Sequence, residues 1–155
     1  YAMSAQDVET RAMSVVNLPI EMVNAAEVTA FQFDLYLPAG VSVASFMEDG
    51  EAIYDITLNG DRAKSSHIVA AEPQADGALR IVAYSTKNAV FAGHDGVLAN
   101  VALMVDSLAD GDYEIEMRNI RMVTPDGKEM KAADYSSVLT VKSILMGDVN
   151  NDGEF

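Results

Sequence analysis

The feature that most constrains this chain is strict alternation of apolar and polar residues in short runs, each closed by a turn signal. In Thr29-Ala30-Phe31-Gln32-Phe33-Asp34-Leu35-Tyr36-Leu37, the residues Phe31, Phe33, Leu35 and Leu37 fall on one side and Gln32, Asp34 and Tyr36 on the other. Successive side chains of a strand point to opposite faces, so this segment hides one face and wets the other. Pro38-Ala39-Gly40 ends it. Upstream, Ser14 to Val23 places Val16, Leu18, Ile20 and Met22 in phase, with Pro19 marking an edge or bulged strand. Asn24 to Glu27 is then expected to be a hairpin turn.

The pattern continues. Val41 to Phe46 and Ile53 to Leu58 are short apolar segments, separated by Glu48-Asp49-Gly50 and closed by Asn59-Gly60-Asp61. Asn59-Gly60 is the strongest local hairpin signal. His67 to Ala71, Ala78 to Ser85 and Val97 to Val105 read as the next strands, the last two following Asp76-Gly77 and Asp95-Gly96. Tyr113 to Val123 alternates until Ile120 and Met122 fall out of phase, which predicts a bulge near Asn119. Asp126-Gly127 turns the chain toward a last strand, Ser137 to Val141, leaving room for one short helix over Lys131 to Tyr135. About nine short strands without crossover helices predict an all-β, antiparallel sandwich and argue against a parallel α/β fold.

Composition narrows the function. Lys and Arg number 10 against 24 Asp and Glu, a net charge of -14 that repels phosphate backbones and anionic membranes, so nucleic acid is not an expected partner. No apolar run reaches the roughly 18 residues that would cross a bilayer, so no membrane insertion is expected. The absence of cysteine removes disulfides and thiol chemistry. The nine methionines read as adaptable core filler.

Catalytic patterns are missing. There is no GxSxG, HExxH, GxxxxGK[ST] or GxGxxG. His67 falls at a strand start and His94 in the turn Gly93-His94-Asp95-Gly96, and neither has an evident catalytic partner. The acidic groups Glu48, Asp49, Glu51 and Asp110, Asp112 lie in expected turns, where nothing raises the pKa of one acid above its neighbour as glycoside hydrolysis requires. A noncatalytic module is expected.

The last nine residues, Gly147-Asp148-Val149-Asn150-Asn151-Asp152-Gly153-Glu154-Phe155, carry the opening of a calcium loop. Asp148, Asn150 and Asp152 fit positions 1, 3 and 5, Gly153 fits the sharp turn at position 6, and Glu154 would offer its carbonyl at position 7. The chain stops before the later ligands, so this half loop is expected to be empty, with calcium expected only if the loop were complete. GDVNNDG resembles the first segment of a dockerin repeat, the calcium-loaded module that cohesins capture in bacterial polysaccharide-degrading assemblies. The expected organisation is a β-sandwich over residues 1–142 and a linker with a truncated dockerin segment over 143–155.

The body has its own resemblance. The run from Thr29 to Gly40, then Asp76 to Ser85, then Gly96 to Leu103, is similar to the cohesin-like modules of gut and rumen Bacteroidetes. That resemblance spans roughly Ser14 to Val141 and implies a nine-stranded jelly-roll sandwich. It further implies noncovalent capture of a dockerin-like protein, or contact with a neighbouring domain, on one face built from Phe31 to Leu37, Ala78 to Ser85 and Val97 to Val105. Carried over, the outward residues of that face are Gln32, Asp34, Tyr36, Arg80, Tyr84 and Asn100. Tyrosine and arginine suit an interface, although any sandwich must also solvate its outer strand faces. An extracellular or cell-surface setting is what the tail's resemblance implies, and module spacing is the neighbouring possibility.

The rival reading is carbohydrate binding. Sugar platforms use exposed rings, and with no tryptophan the candidates are Tyr36, Tyr54, Tyr84, Phe91, Tyr113 and Tyr135. A flat pair of tyrosines on one face would favour glycan, and rings turned inward would not.

Overall fold

A computed structural model describes residues 1–143. Fourteen strands follow in order: β1 (Ala2–Ala5), β2 (Val8–Thr10), β3 (Ser14–Val23), β4 (Ala30–Tyr36), β5 (Val41–Val43), β6 (Ser45–Glu48), β7 (Glu51–Tyr54), β8 (Ile56–Leu58), β9 (His67–Pro73), β10 (Leu79–Ser85), β11 (Val97–Val105), β12 (Gly111–Val123), β13 (Glu129–Lys131) and β14 (Tyr135–Val141). No helix forms among the described residues, and none is therefore long and apolar enough to cross a membrane.

Two sheets make a β-sandwich of jelly-roll topology. The first has the order β1-β3-β11-β5, with β8 also paired to β11. The second has the order β2-β14-β12-β4-β10-β9, with β13 on β12. Among the described residues every pairing is antiparallel except one: β14 runs parallel to β2, with Leu139, Thr140 and Val141 beside Val8, Glu9 and Thr10. The chain changes sheets repeatedly, which is why the inward residues of both sheets merge into one core. Phe31, Phe33 and Leu35 of β4 meet Leu18, Ile20 and Met22 of β3 and Val101 and Leu103 of β11 within it. Burying each such side chain contributes about 1.5–3 kcal/mol.

Several sequence expectations meet their physical answer here. The strand at Ser14 to Val23 has those limits, and Pro19 lies where the β1 ladder ends: β1 pairs only as far as Ile20, and the Pro19 carbonyl accepts from the Gln6 N–H at 3.1 Å. The bulge near Asn119 is present: Arg118 faces Asp34 and Arg121 faces Gln32, so Asn119 and Ile120 share Phe33 as their single opposite residue. Asn119 takes φ 54°, a left-handed value that asparagine tolerates, and Ile120 returns to the core.

Three expectations are corrected. Asn24 to Glu27 is not a hairpin turn, since β3 and β4 belong to different sheets and this segment carries the chain between them. Asn59-Gly60 is not a hairpin either. Neither residue takes the positive φ that a type I′ turn needs; instead the Asn59 carbonyl accepts from the N–H of Arg62 and Ala63, and the turn leads from β8 in the first sheet to β9 in the second. The room left for a helix at Lys131 to Tyr135 holds the end of β13 and the start of β14.

The turn that does take type I′ signs is Asp49-Gly50, at φ 52° and 81°, joining β6 to β7. This hairpin leaves the first sheet at Ala44 and returns at Asp55, where the Asp55 N–H donates to the Ala44 carbonyl at 2.7 Å. The apolar runs around it are thereby split, so the strands exceed the nine expected.

Candidate functional site

The outer face of the second sheet carries an ordered polar platform. Asp34 and Arg80 are direct partners across β4 and β10, and Asp34 also faces Arg118 of β12. Asp34 is 2% exposed, an unusual position for a carboxylate, and it is satisfied on three sides. Arg80 donates from Nε to Oδ1 at 2.7 Å and from Nη2 to Oδ2 at 3.0 Å, and Asn119 Nδ2 donates to Oδ2 at 2.8 Å. The Arg80 contact, opposed by burial and helped by Asn119, holds the Asp34 carboxyl below its ordinary range. The bulge in β12 thus has a second effect: its left-handed Asn119 aims an amide at the one buried acid of the face.

Tyr36 extends the platform. Its hydroxyl donates to Asp76 Oδ2 at 2.6 Å, which raises the phenol and lowers the Asp76 carboxyl, and the Arg118 guanidinium lies 4.8 Å from its ring centroid. Arg118 also reaches Glu116 at 2.8 Å. Gln32 stands between Val82 and Arg121 in the ladder. At the other end of the face, Tyr84 and Ile68 are ladder partners, each 43% exposed.

Five of the six residues expected on the partner face, Gln32, Asp34, Tyr36, Arg80 and Tyr84, lie on this sheet. Asn100 does not. Its strand, β11, belongs to the first sheet, where Asn100 faces Pro19 and Thr57 and accepts from Asn17 Nδ2 at 2.9 Å. Alternation along β11 told which residues point inward but not which sheet takes the strand. Residues that sequence reasoning passed over are Asn119, Arg118, Asp76 and Ile68; the phase break at Ile120 was the signal for the first.

The tyrosines form no flat pair. By ladder register, Tyr36 lies level with Ala78 and Tyr84 six residues further along β10, about 20 Å away. Of the other candidate rings, Phe91 is buried, Tyr54 and Tyr113 are half-buried against the core, and Tyr135 is 40% exposed.

No group of three or more His, Asp or Glu side chains is placed to hold a metal among the described residues. Asp148, Asn150, Asp152 and Glu154 lie outside the described residues. His67 opens β9 with its ring stacked 3.9 Å from that of Phe91; Nδ1 accepts the Lys64 N–H at 2.8 Å and Nε2 meets the Ala89 carbonyl at 3.0 Å. His94 Nδ1 meets the Asn24 carbonyl at 2.9 Å. Both imidazoles brace loops.

A buried cation does the same on a larger scale. Arg62, 5% exposed, donates to the carbonyls of Ala92, Met22, Gly96 and Gly93 and to Asn24 Oδ1, at 2.7 to 3.2 Å. It ties the β8–β9 crossover to the β3–β4 and β10–β11 connections.

The sequence matches no family model and no curated protein. Solved structures do resemble it. A non-cellulosomal cohesin from the archaeon Archaeoglobus fulgidus superposes with a TM-score of 0.67 at 18% identity, covering 91% of this chain and 90% of the other. The cohesin CaCohA2 from Clostridium acetobutylicum gives 0.67 at 18% identity, with 93% of each chain covered. A type I cohesin–dockerin complex from Clostridium thermocellum gives 0.69 at 11% identity, covering 90% of this chain and 97% of that one. These likenesses establish the architecture: the chain is an all-β jelly-roll sandwich with the fold of cohesin modules.

Proposed function

We propose that this chain is a noncatalytic attachment module that holds a dockerin-like protein on the outer face of β9, β10, β4 and β12. The observation that carries the reading is the Asp34 network. A carboxylate buried in a sheet face and locked by Arg80 and Asn119 fixes neighbouring side chains at little further entropic cost on binding, which is what a protein-docking surface needs. The face is broad and has Tyr84 and Ile68 at one end and Tyr36 with Arg118 at the other, residue types that serve as anchors. Structural neighbours include a cohesin in complex with a dockerin, which supports the partner class. An extracellular or cell-surface setting within a polysaccharide-degrading system is part of the same proposal, resting on the tail's resemblance to a dockerin segment.

Titration calorimetry against a panel of calcium-loaded dockerins, beside a glycan array at matched concentration, tests it. A dockerin should bind, and Tyr84→Ala and Arg118→Ala should each weaken it about tenfold or more. Glycan binding without dockerin binding, or dockerin binding indifferent to both substitutions, would sink the reading.

A further inference from the structure

The opposite face of the molecule has a different chemistry. In a chain of net charge -14, the outward positions of β1, β3, β5, β8 and β11 carry a single charged side chain, Glu21, while Asp55 and Asp106 stand at the rim. The exposed residues there are apolar or neutral. Val15 and Met104 are ladder partners, 63% and 49% exposed, and Met13, 73% exposed, stands beside them at φ 60° with its N–H bonded to the Asp106 carbonyl. They border a shallow groove of about 470 Å³ whose floor includes Ser42. Farther along, Asn17 and Ala102 pair across the same two strands, and Asn17 donates to the Asn100 side chain.

We infer that this neutral face is a second interface, and that its occupant is another copy of the same chain packed about a two-fold axis. The charge distribution selects the occupant. A basic partner would be drawn to the acidic surfaces elsewhere, whereas two copies that each carry the same large negative charge approach most easily where carboxylates are fewest. An isologous contact also requires a patch complementary to itself. The Asn17–Asn100 pair meets that condition, because the bond between them leaves the Asn17 oxygen as an acceptor and an Asn100 N–H as a donor, so a rotated copy can return both bonds. Size sets the strength: the residues of β1, β3, β5, β8 and β11, at about 3.3 by 4.8 Å each, present roughly 450 Å² per copy, below the size of a standard specific interface and in the range of transient contacts, so the dimer is weak and reversible. This goes beyond the dockerin reading and does not depend on it, since the Asp34 face remains open.

Sedimentation velocity on the full chain from about 1 µM to about 1 mM tests the inference. The mass should rise from 16.6 kDa toward twice that value, and added salt should strengthen association by screening the like charges. Val15→Glu and Met104→Glu should each weaken association at least tenfold, and Tyr84→Glu, on the other face, should leave it unchanged. Both substituted side chains point into solvent, and circular dichroism checks that the variants fold. Concentration-dependent hydrogen-exchange protection confined to β3 and β11 would support the same conclusion in the unaltered chain. A monomer at every concentration, association that weakens with salt, or association lost in Tyr84→Glu and retained in Met104→Glu would overturn it.

Discussion

Arg80 grips Asp34 at both oxygens across the β4–β10 ladder, at 2.7 and 3.0 Å, and the two differ sharply in exposure: the arginine side chain is 38% exposed and the aspartate 3%. Loss of the arginine therefore strands a buried charge, while loss of the aspartate frees a cation that can turn to water.

Arg80→Met should destabilise the domain by about 2 kcal/mol near pH 7, less than a fully buried pair because water reaches the arginine. The effect should depend on pH. Asp34 has a folded pKa below its ordinary 3.8, so its contribution is present above that value and is lost as pH falls through the folded pKa. Urea titrations of both proteins should diverge at pH 7 and converge in strong acid.

His67 makes the converse prediction at milder pH. Its ring is neutral in the fold, because Nδ1 accepts from Lys64 and burial, the main cause, lowers its pKa below 6.5; the Ala89 carbonyl only partly opposes this. The unfolded chain takes up the proton first as pH falls below 6.5. Stability should therefore decrease from about pH 6.5 downward and recover as pH rises. Thermal melts between about pH 5 and 8 should show this slope, and His67→Gln should flatten it.

Ser137 presents the opposite of a satisfied polar group. It is 3% exposed on the inward face of β14, and its hydroxyl has no hydrogen-bond partner. Ser137→Ala should be neutral to stabilising by about 1 kcal/mol, read as a higher melting temperature.

Arg62 should be the most sensitive polar position. Arg62→Met removes five bonds that tie the β8–β9 crossover to two other connections and leaves buried carbonyls unpaired, at an expected cost of about 3–5 kcal/mol. Arg62→Lys should recover little, since an ammonium cannot span the same fork. Hydrogen exchange should quicken together at residues 24, 59–66 and 92–96.

Alternation exposed the inward residues of β3 and β4 correctly, because burial of one face is a local property of a strand. The phase break at Ile120 likewise marked the bulge. Sheet membership was not legible, since it depends on which distant segment a strand meets; Asn24 to Glu27 and Asn59-Gly60 have turn chemistry that serves a crossover as well as a hairpin, and β11 went to the sheet opposite the one expected. The candidate face was legible where β4 and β10 supply it, and hidden where Asn119, Asp76 and Arg118 complete it through contacts between segments far apart in sequence. Arg62 gave no signal at all, because a lone arginine in Asp61-Arg62-Ala63 looks like any surface cation.

The parallel pairing of β2 beside β14 has a mechanical side. Tension applied ahead of β2 and beyond β14 would drag the two strands lengthwise past each other, straining the rungs from Val8 to Thr10 at once instead of unzipping them in turn.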